Sequence, residues 1–480
     1  MGPACCLLPP AAWRLPALGV VIGGALIGIA ALGNLREHLT LFVALFAVAF
    51  AAYLAAVWLG LRKAELTAGR RLWPLLCLAL AYRLILLPAA PSLSDDLYRY
   101  AWEGRVLAAG FSPYRYAPSD PALAPLRDAT IWPRVNNPDV PSPYPPLAQV
   151  AALLGALVGA GGAPPSLRSL PGEREFPSAG SGPALGVKLA ATAGDLAVMG
   201  ATLALLAATG RPPAGVLVYA WHPLAAIAFS HSGHNDALMV APLALSLALA
   251  ARGRRWLPAV LLAVASLAKV TPLLLLPLLP RRLGLAPALL AGALFALGWV
   301  PLLLLGGGAT GSLATYLEHW ADNDSLHAIL RLALGARGAK AVCLLLLLAG
   351  LALLALHPVL RRRPLWWQAY VALGLSIVLA STVHSWYLTW LLPLLAVQLA
   401  PLDRVPFLRP GPALGWLLFS GLVALPYLTY DTHEWRLWIS FAEYAPLFAC
   451  LAAGAPWPAL RTLLARRARP PAPMPRPAPA

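Results

Sequence analysis

The stretch LFVALFAVAFAAYLAAVWLG, residues 41–60, contains no charged residue. About 20 apolar residues in a helix span the hydrocarbon core of a bilayer. Two further uncharged stretches of that length lie at 283–305 and 411–430. The chain of 480 residues is 60% hydrophobic and 11% charged, whereas soluble chains are about 45–50% apolar and about 25% charged. The sequence therefore predicts an all-α polytopic membrane protein.

The net charge of +17 arises from 36 basic and 19 acidic residues. In a soluble protein this charge would suggest a nucleic-acid partner, but in a membrane protein positive charge collects in cytoplasmic loops. The sequence contains no zinc-ligand spacing, RNA-binding motif or P-loop, so we expect no nucleic-acid partner. The five cysteines show no pairing pattern and predict no disulfide framework.

Apolar segments alternate with clusters of basic residues and predict about 12–14 transmembrane helices. The predicted helices are 15–33, 39–61, 72–90, 144–163, 185–209, 214–230, 235–251, 256–279 with an interruption near Lys269, 284–305, 340–356, 365–383, 385–400, 411–429 and 437–453. We expect residues 1–460 to form one integral membrane domain. The basic, Pro/Ala-rich tail 461–480 is expected to be disordered in the cytoplasm.

The basic clusters place two loops, 91–143 and 231–236, on the outer side of the membrane. Between these loops lie three apolar segments, 144–163, 185–209 and 214–230. An odd number of crossings cannot return the chain to the same side. One of the three is therefore expected to be partial, re-entrant or at the surface, as happens where a segment lines a cavity.

The loop 91–143, called the long loop below, opens with two adjacent acids directly after an apolar run, in LSDDLYRY (93–100). One interpretation is structural: Ser94 caps a helix, and Asp95 and Asp96 complement its dipole. The other interpretation is that one of these carboxylates is a catalytic group. Local sequence alone leaves both open.

Spacing distinguishes Asp96 from its neighbour. Asp96, Tyr100 and Glu103 recur at i, i+4 and i+7 and share one helix face. This pattern predicts an amphipathic helix at the membrane surface, with its polar face toward a cavity. Further along, the long loop and the start of the next segment are rich in aromatic residues, including Tyr114 and Tyr144. These suit either sugar rings or the membrane interface.

A second polar group occurs in WHPLAAIAFSHSGHNDAL (221–238). His231, His234, Asn235 and Asp236 crowd a helix boundary, and ionisable residues at membrane depth tend to be functional. Three interpretations stay open: a substrate contact, a polar turn capped by Asn235 or Asp236, and a metal site with both histidines and Asp236 as ligands.

Lys269 interrupts the apolar run LAVASLAKVTPLLLLPLLP (262–280), and Pro272 follows it. A lysine in this position needs a partner. It either forms a salt bridge to a buried acid such as Asp195 or serves as the cation for a phosphate.

The segment STVHSWYLTWLLPLL (381–395) begins a predicted helix with His384, Trp386 and Tyr387. These residues fit an aromatic belt at the membrane interface. A histidine among aromatic rings is also a candidate ligand for a phosphate or a sugar.

The chain resembles the GT-C membrane glycosyltransferases, specifically bacterial polyprenyl-phosphate-mannose-dependent mannosyltransferases of the family 87 type. The resemblance spans roughly residues 80–400 and rests on five stretches in order. They are SDDLYRYAWEGRVLAAGFSPY, YPPLAQ, HPLAAIAFSHSGHNDAL, LAKVTPLLLLPLL and HSWYLTWLLPLL. The chain departs from the usual motifs in having Ser112-Pro113-Tyr114 for Asn-Pro-Tyr, and Glu103-Gly104 for Asp-Gly.

The resemblance implies a GT-C fold and transfer of a hexose, mannose by analogy, on the outer face of the inner membrane. The donor would be a polyprenyl-phosphate sugar, and the acceptor a glycan or glycolipid. A loop aspartate would act as general base in an inverting displacement; it corresponds to Asp96, with Asp95 second. The leaving phosphate would meet cations, for which Lys269, His384, His234 and Arg105 are candidates.

The resulting expectation for the site is broad. The expected substrate-binding residues are Tyr100, Glu103, Arg105, Tyr114, Tyr144, His231, His234, Asn235, Asp236, Lys269, His384, Trp386 and Tyr387. No resident cofactor or metal is expected, although a divalent metal stays an alternative. Two other functions stay open: a secondary transporter, which also uses broken helices and buried charges, and a lipid-glycan polymerase or ligase.

Overall fold

The computed structural model describes residues 13–63, 67, 69–159, 182–304, 312, 320–400, 411–430, 432 and 436–454. The predicted tail 461–480 and residues 160–181 lie outside this part of the chain. Helices dominate the described residues, where no strand forms and one isolated β-bridge joins Asp322 to Thr382. The prediction of an all-α polytopic fold is confirmed.

The principal helices are labelled in chain order. They are α1 (Arg14–Ala31), α2 (Leu39–Arg62), α3 (Leu72–Leu86), α4 (Asp96–Ala108), α5 (Pro146–Gly159), α6 (Gly182–Ala208), α7 (Pro213–Ala220), α8 (Pro223–His231), α9 (Ala237–Ala251), α10 (Trp256–Ala268), α11 (Leu279–Arg282), α12 (Leu285–Leu304), α13 (Leu326–Leu356), α14 (Leu365–Val378), α15 (Leu392–Leu399), α16 (Pro412–Leu422) and α17 (Leu437–Ala453).

Five helical spans in the described residues are long and apolar enough to cross a membrane, or six if the bent pair α7–α8 is one span. Six shorter apolar helices accompany them. The expected 12–14 crossings are approached only if these shorter helices also cross. Large apolar side chains such as Leu297, Leu332 and Leu345 are exposed on the helix surfaces, which is the pattern of faces that contact lipid.

Two predicted helices have different bounds in the structure. α13 begins at Leu326 rather than at 340, and Gly335 bends it, with a φ of 71° that a glycine adopts easily. Charged residues on both sides of the bend, Arg331 and Arg337, hid this first part from a hydropathy pattern. The predicted interruption near Lys269 is confirmed: α10 ends at Ala268, Lys269 is extended, and a 3₁₀ helix, Thr271–Leu278, follows.

The segment predicted at 214–230 is discontinuous. Its two parts, α7 and α8, are bent by 55° at Trp221–His222. Neighbouring side chains satisfy the backbone groups near the bend: Tyr53 Oη donates to the carbonyl of Val218 at 2.8 Å, and Arg83 donates to the carbonyl of Ala220. Broken helices are stable at membrane depth under that condition. Within the described residues of the three segments in question, the break lies in this one.

The same arginine forms a buried ion pair that links α3 to α6. Arg83 Nε lies 2.7 Å from Asp195 Oδ2, both side chains are fully buried, and Tyr219 donates to Asp195 at 2.6 Å. The interpretation of Asp195 as the partner of Lys269 is therefore wrong. Asp195 instead pairs with Arg83, which donates to the backbone at the bend.

The long loop and α4 build a small core of their own around Leu97, Trp102 and Leu123. A Cβ on Gly104 of α4 would lie 2.1 Å from the carbonyl oxygen of Ala152 in α5, so the two helices pack in close contact. α4 is buried on nearly all sides. The predicted amphipathic helix forms at Asp96–Ala108, and the long loop covers its polar face; its position at the membrane surface stays a prediction.

Candidate active site

α4 begins at Asp96, and Asp95 occupies the N-cap position without a capping hydrogen bond from its side chain. Ser94 Oγ accepts a hydrogen bond from the Asp96 backbone N–H at 3.3 Å. Asp95 turns instead toward Arg36, which donates to its Oδ1 at 2.7 Å. The helix thus starts one residue later than a Ser94 cap predicts, and the two adjacent carboxylates have different partners.

The Asp96 carboxylate has one fixed oxygen and one available oxygen. Asn136 Nδ2 donates to Oδ1 at 2.9 Å, while Oδ2 faces His234 Nδ1 at 3.7 Å, beyond hydrogen-bond range. The side chain is 23% exposed. Burial raises the pKa of Asp96, and the hydrogen bond from Asn136 and the charge of Lys269 oppose that rise. The arrangement suits a carboxylate that accepts a proton at Oδ2.

Lys269 lies opposite this carboxylate with an acidic partner of its own. Its Nζ donates to Asp236 Oδ1 at 2.5 Å, and Trp390 Nε1 donates to the same oxygen at 2.7 Å. The ammonium also sits over the rings of Tyr387 and Trp390, 4.3 and 4.9 Å from their centroids. A quarter of the lysine side chain stays exposed, so this cation is both anchored and accessible to an anionic ligand.

Two histidines sandwich Trp386. The His234 ring stacks at 3.6 Å between centroids with 20° between planes, and the His384 ring at 4.4 Å with 9°. Burial, helped by the charge of Lys269, lowers the pKa of His384 to about 3 and that of His234 well below its usual range. Both imidazoles are therefore neutral near pH 7 and available for hydrogen bonding, whereas the sequence predicted cations.

The structure brings four of the predicted stretches together at this point. The group formed by Asp96, Asn136, His234, Asp236, Lys269, His384, Trp386, Tyr387 and Trp390 is called the Asp96 site below. It joins the start of α4, the long loop at Asn136, the loop before α9, the break after α10 and the 3₁₀ helix Ser385–Trp390 with His384 before it. These elements are distant in sequence and meet through contacts between their side chains.

His231 and Asn235 lie beside the Asp96 site rather than in it. His231 is fully buried, with Nδ1 3.2 Å from Ser232 Oγ. Asn235 is partly exposed, and its carbonyl accepts from the N–H of Leu238 at 3.0 Å. Asp236 is the N-cap of α9 but makes no side-chain capping bond, because Lys269 and Trp390 engage its carboxylate. Within the described residues, no group of three or more His, Cys, Asp or Glu is arranged to hold a metal.

Glu103, expected beside Asp96, is buried in a clamp that fixes the long loop. Its carboxylate accepts hydrogen bonds from Arg99 at 2.6 Å, from Ser142 at 2.8 Å and from Gln149. Arg99 in turn donates to three loop carbonyls, those of Asn136, Asn137 and Val140. The clamp places Asn136 where its amide reaches Asp96.

Four other predicted residues support the long loop. Tyr100 meets Tyr144 edge to face at 4.9 Å, and Tyr114 donates to the Tyr144 carbonyl at 2.5 Å. Arg105, expected to face the leaving phosphate, is buried and lies 2.7 Å from Asp128. Its guanidinium also donates to the carbonyl of Leu126, so the structure does not bring it to Asp96.

Two contacts of the site, Asn136 and Arg36, were missed by sequence reasoning. Asn136 lies in the long loop between two of the motif stretches. Trp390 belongs to the aromatic group of 381–395, but its hydrogen bond to Asp236 was not predicted. Arg36 lies in a 3₁₀ turn, Leu35–His38, between α1 and α2, far from every motif. For Asn136 a signal existed, since the Asn-Asn-Pro sequence marks an ordered turn; for Arg36 none did.

Comparison with family models gives one match. Residues 11–282 match the model MptA_B_family, described as "Alpha-(1->6)-mannopyranosyltransferase, N-terminal domain". The matched region covers more than half of the chain and includes Asp96, His234, Asp236 and Lys269. A search of curated proteins found no match.

Proposed function

The chain belongs to the MptA_B family of mannosyltransferases, and from this membership we propose that it transfers mannose from a polyprenyl-phosphate donor to a glycan or glycolipid hydroxyl. The acceptor group would be a 6-hydroxyl, in keeping with the family description. The reaction would take place on the outer face of the plasma membrane, where the charge pattern of the sequence puts the long loop.

The observation that carries the proposal is the difference between the two carboxylate oxygens of Asp96. Asn136 holds Oδ1, and Oδ2 faces the site without a hydrogen bond from His234. In the proposed reaction Oδ2 takes the proton of the acceptor hydroxyl, whose oxygen attacks the anomeric carbon. The bond from that carbon to the phosphate oxygen breaks, and polyprenyl phosphate leaves. One displacement inverts configuration, so an α-product requires a β-linked donor.

Lys269 supports the phosphate side of this proposal. It is an accessible cation opposite Asp96, and it stabilises negative charge that develops on the leaving phosphate. The neutral His234 and His384 supply N–H donors in fixed orientation, because Trp386 packs between their rings.

The test is transfer by purified protein in detergent, with radiolabelled polyprenyl-phosphate mannose and an α-mannoside acceptor. Asp96→Asn is expected to lower the rate about 10²–10⁴-fold, the usual contribution of a general base. Asp139→Asn removes an exposed acid of the same loop and is the matched control. Retained transfer in Asp96→Asn, or no consumption of the donor by the wild type, contradicts the proposal. Solute uptake into proteoliposomes without a lipid-linked sugar would favour a transporter.

A further inference from the structure

Arg36 joins three parts of the chain at the entrance to α4. Its Nε donates to the carbonyl of Ser92 at 2.6 Å, and its terminal Nη2 donates to Asp95 Oδ1 at 2.7 Å and to Tyr430 Oη at 3.3 Å. Its guanidinium also lies over the Tyr430 ring, 5.0 Å from the centroid. Next to it, the N–H of Leu35 donates to Ser92 Oγ at 3.0 Å. The start of α4 is therefore anchored to the turn between α1 and α2.

We propose that Arg36 is a positioning residue: it holds Asp95 away from the Asp96 site and neutralises its charge, so that Asp96 alone serves as the ionised base. The role of Asp96 as base rests on the proposed function. Among the described residues, the Arg36 side chain donates to Ser92, Asp95 and Tyr430 and not to Asp96, so its effect passes through Asp95.

Electrostatics gives the proposal a measurable consequence. A like charge next to a carboxylate raises its pKa, because two neighbouring anions repel each other. Asp95 acts on Asp96 in this direction, and the Arg36 guanidinium offsets the charge of Asp95. The titratable and charged groups that face Asp96 are Asp95, Tyr100, His234, Asp236, Lys269, Tyr427 and Tyr430. Only the charge of Asp95 is directly balanced by Arg36.

The experiment measures the titration of Asp96 without requiring turnover. A carbodiimide labels carboxyl groups in their protonated form, and fragment masses of the labelled peptide separate Asp95 from Asp96. The midpoint of Asp96 labelling against pH is compared in wild type, Arg36→Gln, Arg36→Lys, Asp95→Asn and Arg36→Gln/Asp95→Asn. Arg115→Gln is the control, because Arg115 is an exposed arginine of the long loop that lies over Tyr116.

Arg36→Gln is expected to raise the Asp96 midpoint by about half a unit to one unit. Arg36→Lys keeps the charge and should stay near wild type, while Asp95→Asn should lower the midpoint. The double variant should return to the wild-type value or below, because the charge that Arg36 balanced is gone. In the transfer assay the acid limb should move in parallel with the labelling midpoint.

An unmoved midpoint in Arg36→Gln, or a double variant as shifted as Arg36→Gln, overturns the proposal. If Arg36→Gln does not fold, as judged by size-exclusion chromatography, Arg36→Lys and Asp95→Asn carry the test. In that case the proposal is overturned if the Asp96 midpoint does not fall in Asp95→Asn. If the wild type transfers no mannose, the proposed function fails, while the labelling series still decides the role of Arg36.

Discussion

His234 Nδ1 lies 3.7 Å from Asp96 Oδ2, and this nitrogen has no hydrogen-bond partner among the described residues. Two features explain why the two side chains stay apart: the imidazole carries no charge, and both groups are held in place by other residues. The imidazole is uncharged because burial lowers its pKa, so no ion pair draws the two side chains together. Stacking on Trp386 fixes the ring, and Asn136 fixes the carboxylate. In the proposed reaction, the gap would present a proton acceptor and an imidazole to the same incoming hydroxyl.

Replacing the imidazole nitrogens without losing the stack tests this arrangement. His234→Phe keeps an aromatic ring against Trp386 but cannot form a hydrogen bond. We expect kcat to fall about tenfold or more, the effect of losing one hydrogen bond in the transition state, with little change in apparent melting temperature. Trp386→Phe preserves both imidazoles and serves as the comparison. Unchanged kcat in His234→Phe would show that the ring acts by packing alone.

The pH dependence of transfer should report the raised pKa of Asp96. A general base must be ionised, so activity is fully present above this pKa and is lost as pH falls through it. Since burial raises the pKa, the acid limb should lie above the value of about 3.9 for an ordinary aspartate. The measurement is kcat/KM against pH, with recovery at pH 7 checked to exclude unfolding. A limb at or below about pH 4 would contradict this assignment.

Lys269→Gln should affect the donor more than the acceptor. The change removes a cation and leaves Asp236 as an unbalanced buried acid, so an anionic ligand is attracted less and repelled more. We expect KM for the polyprenyl-phosphate donor to rise about tenfold or more, with KM for the acceptor nearly constant. Adding Asp236→Asn should restore part of the loss. Lys63→Gln, at the far end of α2, is the control; equal effects on both substrates would argue against phosphate recognition.

The close contact between α4 and α5 predicts that Gly104 does not tolerate substitution. Gly104→Ala would place a methyl group against the backbone of Ala152, 2.1 Å from its oxygen, and the helices must separate. We expect a loss of about 1–3 kcal/mol in stability, with reduced transfer because α4 carries Asp96. Thermal unfolding in detergent measures the first effect.

Gly200→Ala provides the matched control for that substitution. Gly200 lies in α6, and a Cβ there would meet nothing within 4 Å. Alanine should stabilise this helix by up to about 1 kcal/mol. Equal melting temperatures for the two variants would mean that α4 and α5 can move apart freely.

Hydropathy predicted most helix positions because an apolar run of membrane length has few other structures available. It also located the break at Lys269, where a charge interrupts such a run. The first part of α13 was missed, since Arg331, Gly335 and Arg337 hide its apolar residues in the sequence. Which segments cover a helix depends on residues distant in sequence, so the burial of α4 beneath the long loop could not be read from its own hydropathy.

The same contrast between local patterns and distant contacts applies to the site. Local motifs marked Asp96, His234, Lys269 and His384, and the fold brings them together. The hydrogen-bond partners of these residues could not be predicted from the sequence. Arg36 and Asp95, for example, are 59 positions apart, and no periodicity relates them. Helical spacing put Glu103 on the face of Asp96, but its carboxylate is occupied by the clamp.

The clamp around Glu103 has a mechanical consequence. Arg99 stands three residues after Asp96 and holds the carbonyl of Asn136, whose amide holds Asp96. The chain thus closes a ring of contacts from α4 through the long loop back to α4, which holds the Asp96 carboxylate and the Asn136 amide in one unit. We therefore expect a substrate to enter between this unit and the opposite wall, where His234, Lys269 and His384 belong to separate segments, without parting Asp96 from Asn136.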